Sequence, residues 1–152
     1  MIEDYLRENG VDFEEIPHQR AYTAQGTAAV EHVTGYQFAK TVIVTDGENY
    51  YMLVLPAPYH ADLEEASELI GTEVEMASEE EIADLFTGCE VGAEPPFGSL
   101  YHIKTYVDEK MGEQDEIVFR AGSHDATIKI SYQDFINLEE PEVGSFATGI
   151  DD

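Results

Sequence analysis

Two apolar runs stand out in the pattern of hydrophobic and polar positions along the chain. Residues 37–45 and 50–55 are near-continuously apolar, as is typical of strands that are buried on both faces. Asp46 and Gly47 lie between the runs, and an Asp-Gly pair is a strong signal for a tight hairpin turn. The pattern therefore predicts a β-hairpin at the centre of the core.

Capping residues and apolar periodicity predict helices around this hairpin. Residues 1–9 are expected to form a short helix that ends at Gly10. Ser78 and Glu81 have the spacing of a capping box, which opens a short helix through Leu85. The other predicted helices are 23–35, which Thr23 caps, 62–70, which Gly71 follows, and a last turn after Ser131 that buries Phe135.

The remaining pattern predicts strands and sets the fold class. Residues 12–16 alternate between polar and apolar, as an exposed strand does, and further strands are predicted at 100–107, 115–121 and 126–130. This mixture predicts an α+β fold with a mixed, barrel-like β-sheet core and surrounding helices. Residues 1–138 are expected to form one domain. Residues 139–152 are rich in Glu, Asp, Gly and Ser and are predicted to be an acidic, flexible tail.

The balance of charge changes this ordinary picture. The chain has 33 acidic and 7 basic residues and a formal net charge of −26. Disorder can accompany such a charge, but nine tyrosines, seven phenylalanines and regular apolar periodicity favour a folded protein. In molar salt the Debye length falls to about 3 Å, so crowded carboxylates repel one another only weakly. The composition predicts a halophilic protein adapted to molar intracellular salt, with an acidic interaction protein as the alternative.

The same charge limits contact with nucleic acids. A broad basic face is excluded, so DNA is not an expected partner, and affinity built on many phosphate contacts would collapse in high salt. A tRNA could be held only at a small feature, such as its terminal nucleotide and the ester on it. The candidate contacts are the basic residues Arg7, Arg20, Lys40, Lys104, Lys110, Arg120 and Lys129.

Length, hydropathy and cysteine content bound the cellular setting. The 152 residues suffice for one domain with a real core, and no apolar run approaches the roughly 18 residues that a membrane helix needs. Residues 1–4 are acidic and lack the basic start of a secretory signal. Cys89 is the only cysteine, so no intrachain disulfide can form, which fits a reducing cytosol. We therefore expect a cytoplasmic protein with no membrane partner.

Lys40 is the first candidate for chemistry. It is one of only four lysines, and it opens the first core strand directly before Thr41. Most lysines at strand ends simply extend to water. A partly desolvated ammonium at this position would instead be a strong donor to an anion or a hydroxyl. We therefore predict that Lys40 and Thr41 contact a substrate.

A stiff loop is the second candidate. Residues 88–98 contain three glycines and two adjacent prolines, and a G-x-x-x-P pattern runs from Gly92 to Pro96. The loop could simply cover one end of the sheet. In the functional interpretation its backbone groups point at an ester carbonyl, where a preorganised donor contributes about 2.7–4 kcal/mol. The predicted contacts are Gly92, Ala93, Glu94, Pro95, Pro96, Phe97 and Gly98.

Histidine and cysteine offer weaker candidates. His124 lies in the polar turn 122–125, where it is either a general base with a pKa near neutrality or an exposed turn residue. Cys89 fits a small buried hydrophobe better than a nucleophile, because no Cys-His pair is recognisable. The other histidines lack metal-ligand spacing, so neither a metal nor another cofactor is predicted; they are His18, His32, His60 and His102.

The order of these features resembles the YbaK/prolyl-tRNA-synthetase-associated domain family over residues 17–136. The resemblance rests on Ala21-Tyr22-Thr23, Lys40, Leu53-Val54-Leu55-Pro56, Ala77 through Glu81, Gly88 through Gly98, Val107-Asp108 and Ala121-Gly122. Members have a barrel-like mixed sheet with surrounding helices, and they hydrolyse mischarged aminoacyl-tRNA in trans or as an inserted editing domain. The resemblance implies a metal-free, trans-acting deacylase for a small amino acid on tRNA(Pro)-type substrates, in weak association with a synthetase.

The resemblance also implies roles for single residues. Lys40 would contact the terminal adenosine or the aminoacyl group at the acceptor end, and the loop from Gly92 to Pro96 would fix the ester carbonyl while water attacks. Arg120, Gly122 and His124 would shape the pocket. Better-known members commonly place serine or histidine where this chain has Arg120, so removal of cysteine, alanine, serine or threonine is open. The alternative is a non-catalytic module that binds an aminoacyl or nucleotide-like ligand, or a protein partner.

Overall fold

The computed structural model describes residues 2–17 and 35–149. In these ranges four helices surround three β-sheets. The helices are α1 (Ile2–Glu8), α2 (Leu63–Ile70), α3 (Glu79–Leu85) and α4 (Tyr132–Glu139). The strands are β1 (Glu14–Pro17), β2 (Ala39–Thr45), β3 (Tyr50–Pro56), β4 (His60–Ala61), β5 (Glu75–Met76), β6 (Lys104–Asp108), β7 (Glu116–Arg120), β8 (Ala126–Ser131), β9 (Glu142–Gly144) and β10 (Ala147–Thr148).

The predicted hairpin forms the middle of a five-stranded sheet. The strand order is β5-β2-β3-β6-β9, and β2 pairs antiparallel with β3 from Ala39 opposite Pro56 to Thr45 opposite Tyr50. β6 runs parallel to both β3 and β9. The carboxyl ends of β3 and β6 therefore lie at one edge of the sheet, beside the start of β2.

A second sheet of three antiparallel strands has the order β1-β8-β7. An isolated parallel bridge between Phe38 and Val118 connects the start of β2 to β7. The third sheet is the short pair of β4 and β10. The α+β class and the mixed β-rich core are confirmed, but the described strands form separate sheets joined at a seam instead of one closed barrel.

Alternation along the hairpin divides the core into two hydrophobic clusters. Ile43, Met52 and Val54 face a large cluster that includes Phe97 and side chains of the three-stranded sheet. Residues of the opposite face, among them Leu53 and Leu55, pack beneath α2. Successive side chains of a strand point to opposite faces, so a sheet in the middle of the fold buries both sets.

The predicted caps Ser78 and Ser131 are present, and Asp62 is a further cap that was not predicted. Asp62 accepts backbone N–H bonds from Glu64 and Glu65 at the start of α2. Ser78 and Glu81 form the reciprocal capping box of α3. Ser131 caps α4, which is a full helix of eight residues where only one turn was expected. The helix predicted over 23–35 falls largely on residues 18–34, which lie outside the described residues.

One predicted strand begins later than expected. Residues 100–107 were predicted as a strand, but Gly98–Tyr101 forms a 3-10 turn and β6 begins at Lys104. His102 adopts a left-handed backbone conformation with φ of 61°, which ends the turn. Strand geometry cannot continue through such a residue, so the apolar run is divided between the turn and β6.

The segment predicted as a flexible tail is part of the folded domain as far as Gly149. β9 pairs with β6, β10 pairs with β4, and Phe146 is buried. The buried carboxylate of Asp108 accepts N–H bonds from Phe146 and Ala147 at 2.8 and 2.7 Å. A buried ring and two charge-assisted hydrogen bonds hold this segment despite its acidic composition. No helix among the described residues is long and apolar enough to cross a membrane.

Candidate active site

Lys40 lies near the start of β2, opposite Leu55 of β3. Its half-buried side chain donates a hydrogen bond from Nζ to the backbone carbonyl of Tyr59, three residues after β3 ends. Thr41 lies opposite Val54, on the other face of the strand. The side chains of Lys40 and Thr41 therefore leave β2 on opposite sides, and the structure does not bring the two predicted contacts together.

The seam between the two large sheets places Lys40 beside β7. The isolated parallel bridge between Phe38 and Val118 brings the chain two residues before Lys40 beside β7, two residues before Arg120. The guanidinium of Arg120 lies 5.8 Å from the centroid of the Phe38 ring. Side chains two residues apart in an extended chain point to the same side. Phe38 and Lys40 therefore share one side, and so do Val118 and Arg120 on β7.

Arg120 connects this seam to the glycine-proline loop. Its side chain is buried, with 6% of the residue exposed, and Nη1 donates to the carbonyl oxygen of Gly92 at 3.0 Å. A buried guanidinium is costly unless its donors are satisfied, so this contact ties the loop to β7. The structure therefore brings the predicted residues Gly92 and Arg120 into direct contact.

Backbone hydrogen bonds hold the loop against the turn that follows β7. Glu90 N–H donates to the Gly122 carbonyl, and Gly122 N–H donates to the Ala93 carbonyl, both at 2.8 Å. Ala93 N–H in turn donates to the Glu90 carbonyl at 3.0 Å. Gly92 has φ of +88° and Gly122 has φ of +91°. Residues other than glycine adopt these backbone conformations only at a cost in free energy. The loop is thus preorganised by its backbone, as the sequence predicted.

His124 is buried beneath this loop. Only 4% of the residue is exposed, so the alternative of an exposed turn histidine does not apply. Its Nε2 lies 2.9 Å from the carbonyl oxygen of Val91, and a carbonyl can only accept, so Nε2 carries the proton. Its backbone N–H donates to the side chain of Glu90 at 3.0 Å. These contacts support a positioning role for the ring, since Nε2 holds the backbone carbonyl of Val91.

Glu94 places a carboxyl group in the same buried environment. It is 5% exposed, and no donor among the described residues bonds its Oε2. Burial raises the pKa of this carboxyl, while backbone N–H bonds from Glu94 and Gly92 and the nearby His124 and Arg120 favour its charged form to a smaller extent. The middle residue of the loop is therefore a buried acid that is held partly by the loop itself.

Cys89 and Tyr101 form a polar contact at the edge of the core, with Sγ 3.3 Å from the tyrosine hydroxyl. Burial raises the pKa of the Cys89 thiol and, more strongly, that of the Tyr101 hydroxyl. A raised pKa reduces the fraction of thiolate, which is the nucleophilic form. The geometry therefore agrees with Cys89 as a small, half-buried core residue.

The second half of the loop belongs to the core. Pro95, Pro96 and Phe97 are buried, and the Phe97 ring packs edge to face against aromatic rings of the large cluster. Gly98 N–H donates to Thr105 Oγ1 at 3.0 Å, and a Cβ atom at Gly98 would lie 2.5 Å from that oxygen. The predicted contacts at Phe97 and Gly98 are thus separated from Gly92 and Arg120, and they anchor the loop.

The expected absence of a metal stays a prediction. His18 and His32 lie outside the described residues. In ranges 2–17 and 35–149, no group of three or more His, Cys, Asp or Glu side chains could hold an ion.

Two residues of the site were not predicted from the sequence. Tyr59 accepts the Lys40 hydrogen bond through its backbone, and the side chain of Glu90 holds the His124 backbone. A backbone acceptor leaves no trace in residue type. In a chain with 33 acidic residues, one carboxylate with a structural contact has no distinguishing signal either.

Comparisons with known proteins agree on one family. Residues 18–138 match the family described as "Aminoacyl-tRNA editing domain". The chain is 31% identical over 147 residues to the multifunctional Ser/Thr-tRNA deacylase ProXp-y of Escherichia coli K12, covering 93% of this chain and 87% of that protein. The same protein from Escherichia coli O157:H7 gives the same values. These matches confirm the predicted resemblance and the predicted class of enzyme, an aminoacyl-tRNA hydrolase.

Solved structures show the same fold. The hypothetical protein APE2540 superposes with a TM-score of 0.89 at 23% identity, covering 97% of this chain and 99% of that one. A candidate trans-editing enzyme for prolyl tRNA synthetase superposes with a TM-score of 0.84 at 22% identity, covering 97% and 95%. The described sheets and helices are therefore those of a known fold.

Proposed function

Because this chain belongs to the aminoacyl-tRNA editing domain family, we propose that it is a trans-acting deacylase of mischarged tRNA. Water adds to the carbonyl carbon of the aminoacyl ester and the bond to the terminal ribose oxygen breaks. The amino acid leaves as its carboxylate; one proton of the attacking water goes to the ribose oxygen and the other to solvent. The protein supplies position and electrostatic stabilisation, with no covalent intermediate on a side chain.

One observation carries this proposal: buried Arg120 joins the glycine-proline loop to the strand seam where Lys40 lies. The contact from Arg120 to Gly92 and the bridge from Phe38 to Val118 put the loop and the lysine on connected elements. Both are held before substrate arrives, which is what a donor to a developing oxyanion needs. Lys40 is the charged donor, and the loop from Gly92 to Pro96 positions the ester.

The current hydrogen bond of Lys40 indicates how it could act. The ammonium has three N–H donors, and one of them is directed to the Tyr59 carbonyl. This bond holds the side chain at the sheet edge where β3 ends. In the proposed complex the Lys40 ammonium contacts the ester oxygen or a hydroxyl of the terminal ribose, which is the role expected for Lys40.

The substrate is proposed from the relatives. The Escherichia coli relative is named a Ser/Thr-tRNA deacylase, and one structural neighbour is a candidate editing enzyme for prolyl tRNA synthetase. We therefore propose that the substrate is a small amino acid, with serine and threonine tested first, on tRNA(Pro)-type or related tRNA. Weak association with a synthetase belongs to the same proposal.

The test is deacylation of a panel of mischarged tRNAs in molar KCl. The panel carries serine, threonine, alanine or cysteine, and the variants are Lys40→Ala and Lys40→Arg. Removal of one transition-state donor typically lowers kcat by about 10²–10³-fold, so we expect that loss for Lys40→Ala and a smaller one for Lys40→Arg. Lys129→Ala is the control. Lys129 lies on β8, and its ammonium pairs with the Glu14 carboxylate of β1 at 3.1 Å.

Two outcomes would overturn parts of this proposal. Equal hydrolysis by wild type and Lys40→Ala would remove Lys40 from the mechanism. A wild type that hydrolyses none of the four esters would instead favour a non-catalytic module that binds an aminoacyl or nucleotide-like ligand.

A further inference from the structure

Two tyrosine rings and a lysine form a small surface beside the site described above. Tyr36 and Tyr59 meet edge to face, with ring centroids 6.0 Å apart and an angle of 63° between the planes. The Lys110 ammonium lies 5.5 Å from the centroid of the Tyr59 ring. Tyr36 is 42% exposed, which is unusual for a large aromatic side chain in this protein. We call these three residues the tyrosine–lysine surface.

This surface adjoins the proposed active site. Tyr59 is the residue whose carbonyl accepts the Lys40 hydrogen bond, and Tyr36 precedes Phe38 by two positions. The parallel strands β3 and β6 end at the same edge of the sheet, so Tyr59 and Lys110 follow neighbouring strand ends. A ligand with its reacting end at Lys40 would therefore continue across the two rings.

The Lys110 side chain is 29% exposed and lies near the buried acid Asp108. Asp108 Oδ1 lies 3.9 Å from the Lys110 ammonium, beyond hydrogen-bond distance, and also accepts the Lys110 backbone N–H at 2.9 Å. The other carboxylate oxygen is occupied by the backbone of the C-terminal segment. Asp108 thus positions the lysine and leaves its N–H donors able to reach a second anion.

The exposed ring of Tyr36, the half-buried ring of Tyr59 and a nearby cation form the kind of combination by which proteins hold single-stranded nucleic acid. Stacking on a ring does not depend on counterion release, so it persists at salt concentrations that abolish phosphate contacts. We infer that the tyrosine–lysine surface binds the single-stranded nucleotides that precede the terminal adenosine of tRNA. This inference rests on the proposed function, which places that adenosine at Lys40.

The direct test measures binding of an uncharged RNA hairpin, fluorescently labelled at its 5′ end, whose single-stranded 3′ end reads ACCA. Loss of one stacked base costs about tenfold in affinity, so Tyr36→Ala should weaken binding about tenfold at both 0.1 and 1 M KCl. Tyr36→Phe keeps the ring and should stay within about twofold of wild type. Equal affinity of wild type and Tyr36→Ala would overturn the inference.

The salt dependence of binding distinguishes a specific contact between Lys110 and a phosphate from a general effect of net charge. Lys110→Ala should reduce the slope of log affinity against log salt by about 0.7, the value for one phosphate contact on a single strand. Lys104→Ala is a matched control, because Lys104 also lies over a tyrosine ring, at 4.9 Å from the Tyr106 centroid, but at the opposite end of β6. An equal change of slope in both variants would show an effect of net charge alone and would overturn the role of Lys110.

Kinetics distinguish this inference from the proposed function. Tyr36→Ala should lower kcat/KM about tenfold on mischarged tRNA and leave hydrolysis of the same amino acid esterified to adenosine unchanged. Equal losses on both substrates would overturn the inference and leave the deacylase proposal intact. A wild type that binds the hairpin in the predicted way but hydrolyses neither ester would support the surface and overturn the deacylase.

Discussion

At the scale of single residues, Glu94 shows how the loop combines stability with chemistry. A buried carboxyl with a raised pKa resists ionisation in the folded state, but it ionises at its ordinary pKa in the unfolded chain. The stabilising effect of the protonated group is therefore fully present below about pH 4.3, the ordinary glutamate value, and is lost as pH rises through the folded pKa. At neutral pH, Glu94 is expected to cost the fold some stability.

We predict that Glu94→Gln raises the unfolding temperature, and that the gain grows as pH rises from about 4.3, the ordinary glutamate value, through the raised pKa of the folded protein. Glutamine keeps the size of the side chain and cannot ionise, and each tenfold change in the ionisation equilibrium corresponds to about 1.4 kcal/mol. Thermal unfolding of both proteins across this pH range, in 1 M KCl, measures the difference. Glu68→Gln, on the exposed side of α2, controls for loss of one charge. A gain that is constant with pH would contradict the raised pKa.

At the scale of elements, the C-terminal segment depends on one buried carboxylate. We predict that Asp108→Asn lowers the free energy of unfolding by about 1.5–3 kcal/mol, because an amide has one acceptor oxygen and cannot accept the Phe146 and Ala147 N–H bonds and also the Lys110 N–H bond. Thermal unfolding measures the loss, and limited proteolysis should show earlier cleavage within 140–149. Asp115→Asn, at an exposed position, is the control. Unchanged cleavage would show that β9 and Phe146 hold the segment without Asp108.

This segment also marks what the sequence could and could not predict. The hairpin, the capping box and the stiff loop were predictable because their signals lie within a few adjacent residues. Asp108 and Phe146 are 38 positions apart, and no local sequence pattern predicts the hydrogen bond between the Phe146 N–H and the Asp108 carboxylate. From its acidic, glycine-containing composition alone, the segment is therefore predicted to be a flexible tail.

The site shows the same division between local and distant signals. Lys40, Gly92 and Arg120 were recognisable as candidates from scarcity, loop chemistry and family resemblance. Their mutual arrangement was not, because it depends on the register of a single bridge between Phe38 and Val118. Likewise, the burial of Phe97 and His124 depends on packing between elements that are distant in the chain.

At the scale of the whole molecule, the dominant property is charge. Seven basic residues cannot pair with 33 acidic ones, so most carboxylates repel their neighbours. We predict that the unfolding temperature rises as KCl increases from about 0.1 M, where the Debye length is roughly 10 Å, to above 1 M, where it is about 3 Å. Deacylation should persist across this range, because recognition uses few phosphate contacts. An unfolding temperature that falls or stays constant would refute the halophilic interpretation and leave the deacylase proposal standing.

The pairing of β9 with β6 has a consequence for where this domain should be considered to end. The match to the family stops at residue 138, but Glu139 accepts hydrogen bonds from Ser99 and Thr105, and Phe146 fills the cluster beneath α2. A protein shortened to that boundary would present β6 as an unprotected sheet edge beside an uncovered apolar patch, a combination that favours aggregation through strand pairing. Fusions and truncations of this domain should therefore preserve the chain at least through Gly149.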